Sequence, residues 1–376
     1  MTKKYKIIIK LGTSTLTKGT KCLSRRHMLE FAQQMARLQE EGHEIVLVTS
    51  GAVAAGREIL KHPQVDSSLP AKQMFASVGQ GRLMQLWAEL FAFYDIAVGQ
   101  VLLTHDDFSN RQRYLNVRDT LHTLLSHKVI PIINENDTVA TDEIRVGDND
   151  NMSALVANLI AADYLILLTD QKGLYTADPR TNPNAELIPI VEKIDDSIFA
   201  LAGGSSKILG LGTGGMITKI QAAKLATQSG TKTFIAHALI PNVLQEIIHG
   251  NSVGTYFKPC ISVRESRKRW LLSKKPQGTL HVDAGAEEQL TKKGASLLPV
   301  GITKASHPFE RGSIVQVLSP TNLPIAMGIT NYSSEDIQKL LGAKSDQIET
   351  RLGYSYGPEI VHRDNMSLLH GKEGSE

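Results

Sequence analysis

The sequence has only two cysteines, Cys22 and Cys260, and they lie far apart. Such a pair makes no disulfide framework and no Cys-x-x-Cys metal site, so a reducing compartment is expected. Long apolar runs are missing as well. The opening MTKKYKIIIK is basic but holds a run of only three apolar residues before Lys10. A secretory signal needs a longer apolar core, and nothing downstream approaches the length of a membrane span. These absences predict a soluble, cytoplasmic protein with no membrane partner. Charge of one sign is also scarce. A formal net charge of +3 over 376 residues does not argue for a nucleic-acid partner.

What is present is ordinary globular text, 41% hydrophobic and 21% charged, long enough for two domains. Up to residue 257 short β-branched runs alternate with helical patterns. Strands are expected at 6–11, 44–49, 96–103, 129–133, 164–169 and 233–236. Helices are expected from a Ser24 cap to residue 41 and at 72–93, 111–126, 151–161 and 215–229. This alternation predicts an α/β domain, a mostly parallel sheet covered by helices on both faces, over residues 1–257. In such sheets ligands sit at the carboxyl ends of the strands. Residues 258–277 are basic and read as a linker. Residues 278–356 turn to short strands with turn signals, a small β-rich domain, and 357–376 read as a polar tail.

Five loops could carry chemistry. In KLGTS, Lys10 and Gly12 could meet an anion, although the spacing is not that of a P-loop. Ser50 and Gly51 open a helix, and Ser50 is either its cap or a ligand contact. In LGLGTGGMITK, Gly210, Gly212, Gly214 and Gly215 precede a helix with Lys219 about one turn in. Four glycines so close cost backbone entropy that a phosphate-wrapping loop would justify. Thr169 and Asp170 close a strand, and Asp170 alone could be a turn former. The fifth loop is NENDTVATDEIRVGDNDN, residues 134–151. Its spacing is not that of a calcium loop, and no His or Cys offers zinc ligation. No protein metal site is expected. Mixed amides and carboxylates suit a ligand carrying both charges. Two lysines, a glycine-rich cradle and a zwitterion pocket together point to a phosphoryl transferase using a nucleotide, with Mg²⁺ bridging its phosphates. A carboxylate acceptor is already ionised at neutral pH and needs no general base, which fits the lack of an evident catalytic histidine.

The blocks KLGTS, VTSGAVAAG, INEND, VGDNDNMSA, LLTDQKGLYTADPR and GLGTGGMITK resemble those of the glutamate 5-kinases in the amino-acid kinase family, in the same order. Residues 278–356 resemble the PUA domain that bacterial members often carry. The resemblance implies a three-layer αβα sandwich followed by a small PUA-like barrel. It implies ATP-dependent phosphorylation of the L-glutamate γ-carboxylate, the first step of proline synthesis, with inhibition by proline at or overlapping the glutamate pocket. Carried over by position, Lys10 and Lys219 stabilise the transferring phosphoryl group and Asp150 orients them. Ser50, Asn134, Asp137, Asp148 and Asn149 hold glutamate. Thr169 and Asp170 contact the nucleotide, and Thr213, Gly214, Gly215, Met216, Ile217, Thr218 and Lys219 wrap its phosphates, with Lys10 reaching them too. Asp142, Glu143 and Arg145 stay a solvated loop. A homo-oligomer, dimer or tetramer, and hand-over of product to the following reductase are also expected. The rival on the same fold is another amino-acid or carbamate-type kinase. PUA domains are best known as RNA-binding modules, but 278–356 carry seven Lys and Arg against eight Asp and Glu, so nucleic acid is not expected.

Overall fold

A computed structural model describes residues 3–65, 68–140, 149–203, 215–259, 262, 265, 271–272 and 274–369. Asp142, Glu143, Arg145, Asp148, Thr213 and Gly214 lie outside the described residues. The chain forms two compact units, Met1–Val263 and Arg264–Glu376.

In the first unit the strands are β1 (Lys6–Leu11), β2 (Glu44–Thr49), β3 (Val98–Leu103), β4 (Ile130–Glu135), β5 (Tyr164–Thr169), β6 (Ile190–Val191), β7 (Lys232–His237) and β8 (Thr255–Phe257). The helices are α1 (Thr13–Thr17), α2 (Arg25–Glu40), α3 (Ala52–Ile59), α4 (Leu69–Ala92) and α5 (His105–Ser109). They continue as α6 (Arg111–Ser126), α7 (Asn149–Ile160), α8 (Asp196–Leu201), α9 (Met216–Gln228) and α10 (Val243–Ile248). The strands form one sheet in the order β3-β4-β2-β1-β5-β7-β8-β6. From β3 to β7 every pairing is parallel. Only β8 turns against β7, and the short β6 pairs parallel to β8.

Strand β1 lies in the middle and is apolar on both faces, as a covered parallel strand must be. Ile7, Ile9 and Leu11 join a core with α2, α4 and α10, while Ile8 joins a second core with α6, α7 and α9. These two cores make the three-layer αβα sandwich. Side chains alternate along a strand, so Lys10 shares the face of Ile8 and lies beneath α7 and α9, where it is only 5% exposed. A lysine in that place needs a partner.

Helices α3 and α4 cross so closely that only glycine fits. A Cβ on Gly79 would stand 1.8 Å from the Ala52 carbonyl oxygen, and one on Gly56 would stand 1.9 Å from that of Phe75. Both obstacles are backbone and cannot swing aside. Gly79→Ala is therefore expected to cost about 3 kcal/mol, the upper end of overpacking. Thermal denaturation checks this, and an unchanged midpoint would contradict the packing described.

In the second unit β9 (Gly278–Val282), β10 (Ile302–Ser306), β11 (Ile314–Leu318), β12 (Pro324–Ile329) and β13 (Met366–Leu368) form a sheet in the order β10-β9-β11-β12-β13. Its core includes Leu280, Val315, Val317, Tyr332, Ile360 and Val361. Three features depart from the sequence reading. Helices at Ala284–Lys293, Ser334–Leu340 and Ile348–Leu352 stand where turns were expected. The first is capped by Asp283, whose side chain accepts from the Ala286 amide at 2.7 Å. Residues 357–369 are not a polar tail, because Ile360 and Val361 are fully buried and Met366–Leu368 pairs with β12. Leu271, inside the expected linker, is buried against Ile314, Met327 and Ile329.

Candidate active site

The carboxyl ends of β1, β2, β4 and β5 and the amino ends of α7 and α9 supply the candidate groups. Strand β1 delivers Lys10. Helix α7 begins at Asn149, so Asp150 lies in its first turn, and Lys219 lies in the first turn of α9. The three side chains converge. Lys10 Nζ lies 2.6 Å from Asp150 Oδ1, and Lys219 Nζ lies 3.2 Å from Asp150 Oδ2. The Thr218 hydroxyl donates to the same Oδ2 at 2.7 Å. All four residues are buried, Asp150 completely.

Burial pushes the Asp150 carboxyl up, but the two lysine charges and the hydrogen bonds outweigh it and hold the group down at about 2. Asp150 is thus a fixed anion at neutral pH. Burial pulls the Lys10 ammonium below its ordinary range, opposed by Asp150 and reinforced by Lys219. Among the described residues, two lysine ammonium groups share this one carboxylate in a dry place, where charge acts strongly. The backbone at Gly12 passes close to this charge, since a Cβ there would stand 3.4 Å from Lys10 Nζ. Helix α9 starts at Gly215 with no side-chain cap among the described residues, and the first amides of a helix are donors suited to an anion. The side chains of Met216 and Ile217 pack on the sheet's core, which leaves their backbone amides as the groups able to face phosphate.

A second cluster is made of amides. Asn149 Nδ2 donates to Ser50 Oγ and to Asn134 Oδ1, both at 3.0 Å. Asn134 Nδ2 in turn donates to Gln80 Oε1 at 2.8 Å. Ser50 does not cap α3. Gly51 holds that position without a side-chain bond, at a φ of 108° that glycine adopts freely. The Ser50 hydroxyl is thereby left to the amide cluster. Asn134 is 1% exposed and has both ends of its amide engaged by protein, so it braces Asn149.

Beside these groups opens a cleft of about 250 Å³ lined by Gln80, Gln100, Leu102, Glu135, Asn136 and Asp137, among others. Burial pushes the Asp137 carboxyl up to about 6. At the end of β5 the buried Thr169 donates its hydroxyl to the exposed Asp170 at 3.0 Å.

The structure therefore joins Lys10, Asp150, Thr218 and Lys219 in one cluster, and Ser50, Asn134 and Asn149 in another. Asp137 borders the cleft. Thr169 and Asp170 contact each other at the end of β5, the strand beside β1. Sequence reasoning missed Gln80 and Gln100. Gly79-Gln80-Gly81 places Gln80 between two glycines inside helix α4, but Gly79 answers to the crossing with α3, so the sequence carried no signal specific to Gln80.

Comparison with known proteins places this arrangement. The amino acid kinase family model matches residues 6–237, and the PUA domain model matches 278–352. A glutamate 5-kinase of Shewanella oneidensis is 52% identical over 97% of this chain and 98% of its own length. One from Escherichia coli is 50% identical over 96% of this chain and 98% of its own. A solved aspartate kinase from Synechocystis is a looser likeness, with a TM-score of 0.45 at 15% identity over 68% of this chain and 41% of its own. With strand-end lysines clamped by one buried aspartate, an amide pocket beside them and near-full-length similarity to enzymes of one group, this chain is a kinase that belongs to the amino acid kinase family, in its glutamate 5-kinase group.

Proposed function

We propose that the protein transfers the γ-phosphoryl group of ATP to the γ-carboxylate of L-glutamate, forming glutamyl 5-phosphate at the entry to proline synthesis. The observation that carries this is the adjacency of Asn149 and Asp150. One residue belongs to the amide pocket and the next to the lysine cluster. Acceptor and phosphoryl sites thus share one turn of helix.

The acceptor carboxylate is ionised at neutral pH and attacks phosphorus directly. Catalysis is then positioning together with charge neutralisation. Lys10 and Lys219 meet the oxygens of the transferring group, and Asp150 keeps both ammonium groups aimed. Ser50 and Asn149 hold the amino-acid end, and Asp137 pairs with its ammonium. Asp148 is assigned to glutamate by position alone. The amides at the start of α9 receive the nucleotide phosphates, and Thr169 and Asp170 its outer part. Mg²⁺ fits this site as a passenger on those phosphates, because both Asp150 oxygens are committed to lysines and Thr218. Proline, with the same ammonium and α-carboxylate, competes for the pocket. Assembly as a homo-oligomer, hand-over of product to a reductase and a cytoplasmic location complete the reading.

The raised Asp137 carboxyl gives a pH dependence. Ammonium binding needs its ionised form, which in the free pocket is reached only above about 6. Glutamate kcat/KM is expected to fall about tenfold per unit as pH drops below that value. Asp137→Asn should lower kcat/KM at neutral pH and flatten this limb. The sign for stability is opposite. A raised carboxyl stabilises the fold below its ordinary 3.8, and that contribution is lost as pH rises through about 6.

An acyl phosphate is trapped by hydroxylamine. Incubation with Mg²⁺, ATP, L-glutamate and hydroxylamine should therefore yield the γ-hydroxamate. ATP consumption without hydroxamate would refute transfer to a carboxylate.

A further inference from the structure

We infer that Gln80 is a positioning residue that sets the hydrogen-bond polarity of the acceptor pocket through Asn134, a role that rests on the function proposed above. A side-chain amide has one donor end and one acceptor end, so in a chain of amides the orientation of one dictates the next. Gln80 presents Oε1 to Asn134 Nδ2 at 2.8 Å. Asn134 must then show Oδ1 to Asn149, which answers with Nδ2 at 3.0 Å. The second proton of that Nδ2 goes to Ser50 Oγ at 3.0 Å. The far end of Gln80 is steadied by Gln100, whose Oε1 lies 3.5 Å from Gln80 Nε2.

The consequence appears where the chain of amides ends. Asn149 Oδ1 is buried and has no hydrogen-bond partner among the described residues. A buried acceptor left without a donor is costly, and a ligand donor relieves it. Ser50, already accepting through Oγ, keeps its own proton to give. The pocket therefore offers an acceptor at Asn149 and a donor at Ser50, the pair needed for an ammonium and a carboxylate. Turning the Gln80 amide over would reverse every link. Asn149 would then aim its NH₂ where the ammonium must sit. Gln80 lies on α4, in the cleft, and acts on the substrate through two intervening side chains.

Steady-state kinetics on the full-length protein test this with Gln80→Met, Asn149→Ala and their combination. Gln80→Met keeps the side chain's length but removes the acceptor. It should raise glutamate KM about tenfold while kcat and ATP KM stay within about twofold. Gln80→Glu retains an acceptor facing Asn134 and should recover KM to within about threefold of the unmodified protein. With Asn149→Ala the relay has no outlet, so adding Gln80→Met should move KM by less than about twofold. A further tenfold rise in that background would mean independent structural damage and would overturn the inference. So would a Gln80→Met variant with unaltered KM. Glutamate turnover by the unmodified protein separates the role of Gln80 from the proposed reaction itself. Its absence would retire the proposed function and this inference with it, whereas normal turnover with multiplying defects would retire the inference alone.

Discussion

Asp150→Ala is expected to lower kcat at least a thousandfold and to destabilise the first unit by about 3–5 kcal/mol, the cost of breaking a buried ion pair from one side. Both effects have one cause. Asp150 is the counter-ion of two buried ammonium groups, at 2.6 Å and 3.2 Å. Without it the repulsion between Lys10 and Lys219 in a dry site is no longer offset by Asp150, and the two ammonium groups are no longer held in place. That loss removes the positive field that the phosphoryl group needs. Asp150 sits far below its ordinary 3.8, so its stabilising contribution is complete above that value and lost only as pH falls toward about 2. The defect should therefore be undiminished across the neutral range. Thermal melting and kcat measured on the same preparation check this. A variant that melts normally and retains turnover within tenfold would contradict the cluster's role.

Lys219→Ala and Asp137→Ala should fail in opposite ways. On the proposed function Lys219 faces the charge that develops during transfer, and loss of one such group lowers kcat by about 10²–10³. Glutamate KM should change little. On the same proposal Asp137 meets the substrate's ammonium, and losing a hydrogen bond to a charged group costs about 1.5–3 kcal/mol of binding. That corresponds to a rise in glutamate KM of about ten- to a hundredfold, with kcat nearly kept. The reverse pattern would mean that the two subsites have been exchanged.

Much of this could be read from the chain. Buried parallel strands such as KIIIKL and YLILLT announce themselves by unbroken apolar runs, and their ends locate Lys10 and Thr169. The start of α2 was legible because Ser24 caps it, accepting from the His27 amide. The short strands β6 and β8 were not, since two- and three-residue strands carry no periodicity. The helix at Ala284–Lys293 was hidden because it buries only Leu290 and so shows no apolar stripe. At the site, charge was legible and polarity was not. A lysine after a strand signals an anion, whereas Gln80 and Gln100 act through the direction of their amides, which depends on neighbours 54 and 20 residues away. Ser50 illustrates the same limit. Its position suggested a helix cap, but Gly51 occupies that place and the hydroxyl turns to Asn149 instead.

The central claim is that the lysine cluster and the amide pocket together make a kinase for free glutamate. An ATP-coupled assay across L-glutamate, N-acetylglutamate, aspartate and carbamate tests it most directly. On the proposed function Asp137 and the Asn149 acceptor meet a free ammonium, which N-acetylglutamate and carbamate lack. With the ammonium held there, the side-chain carboxylate of the shorter aspartate should fall short of the lysine cluster. Strong preference for L-glutamate in kcat/KM is the predicted result. Strong preference for any of the other three would contradict the account.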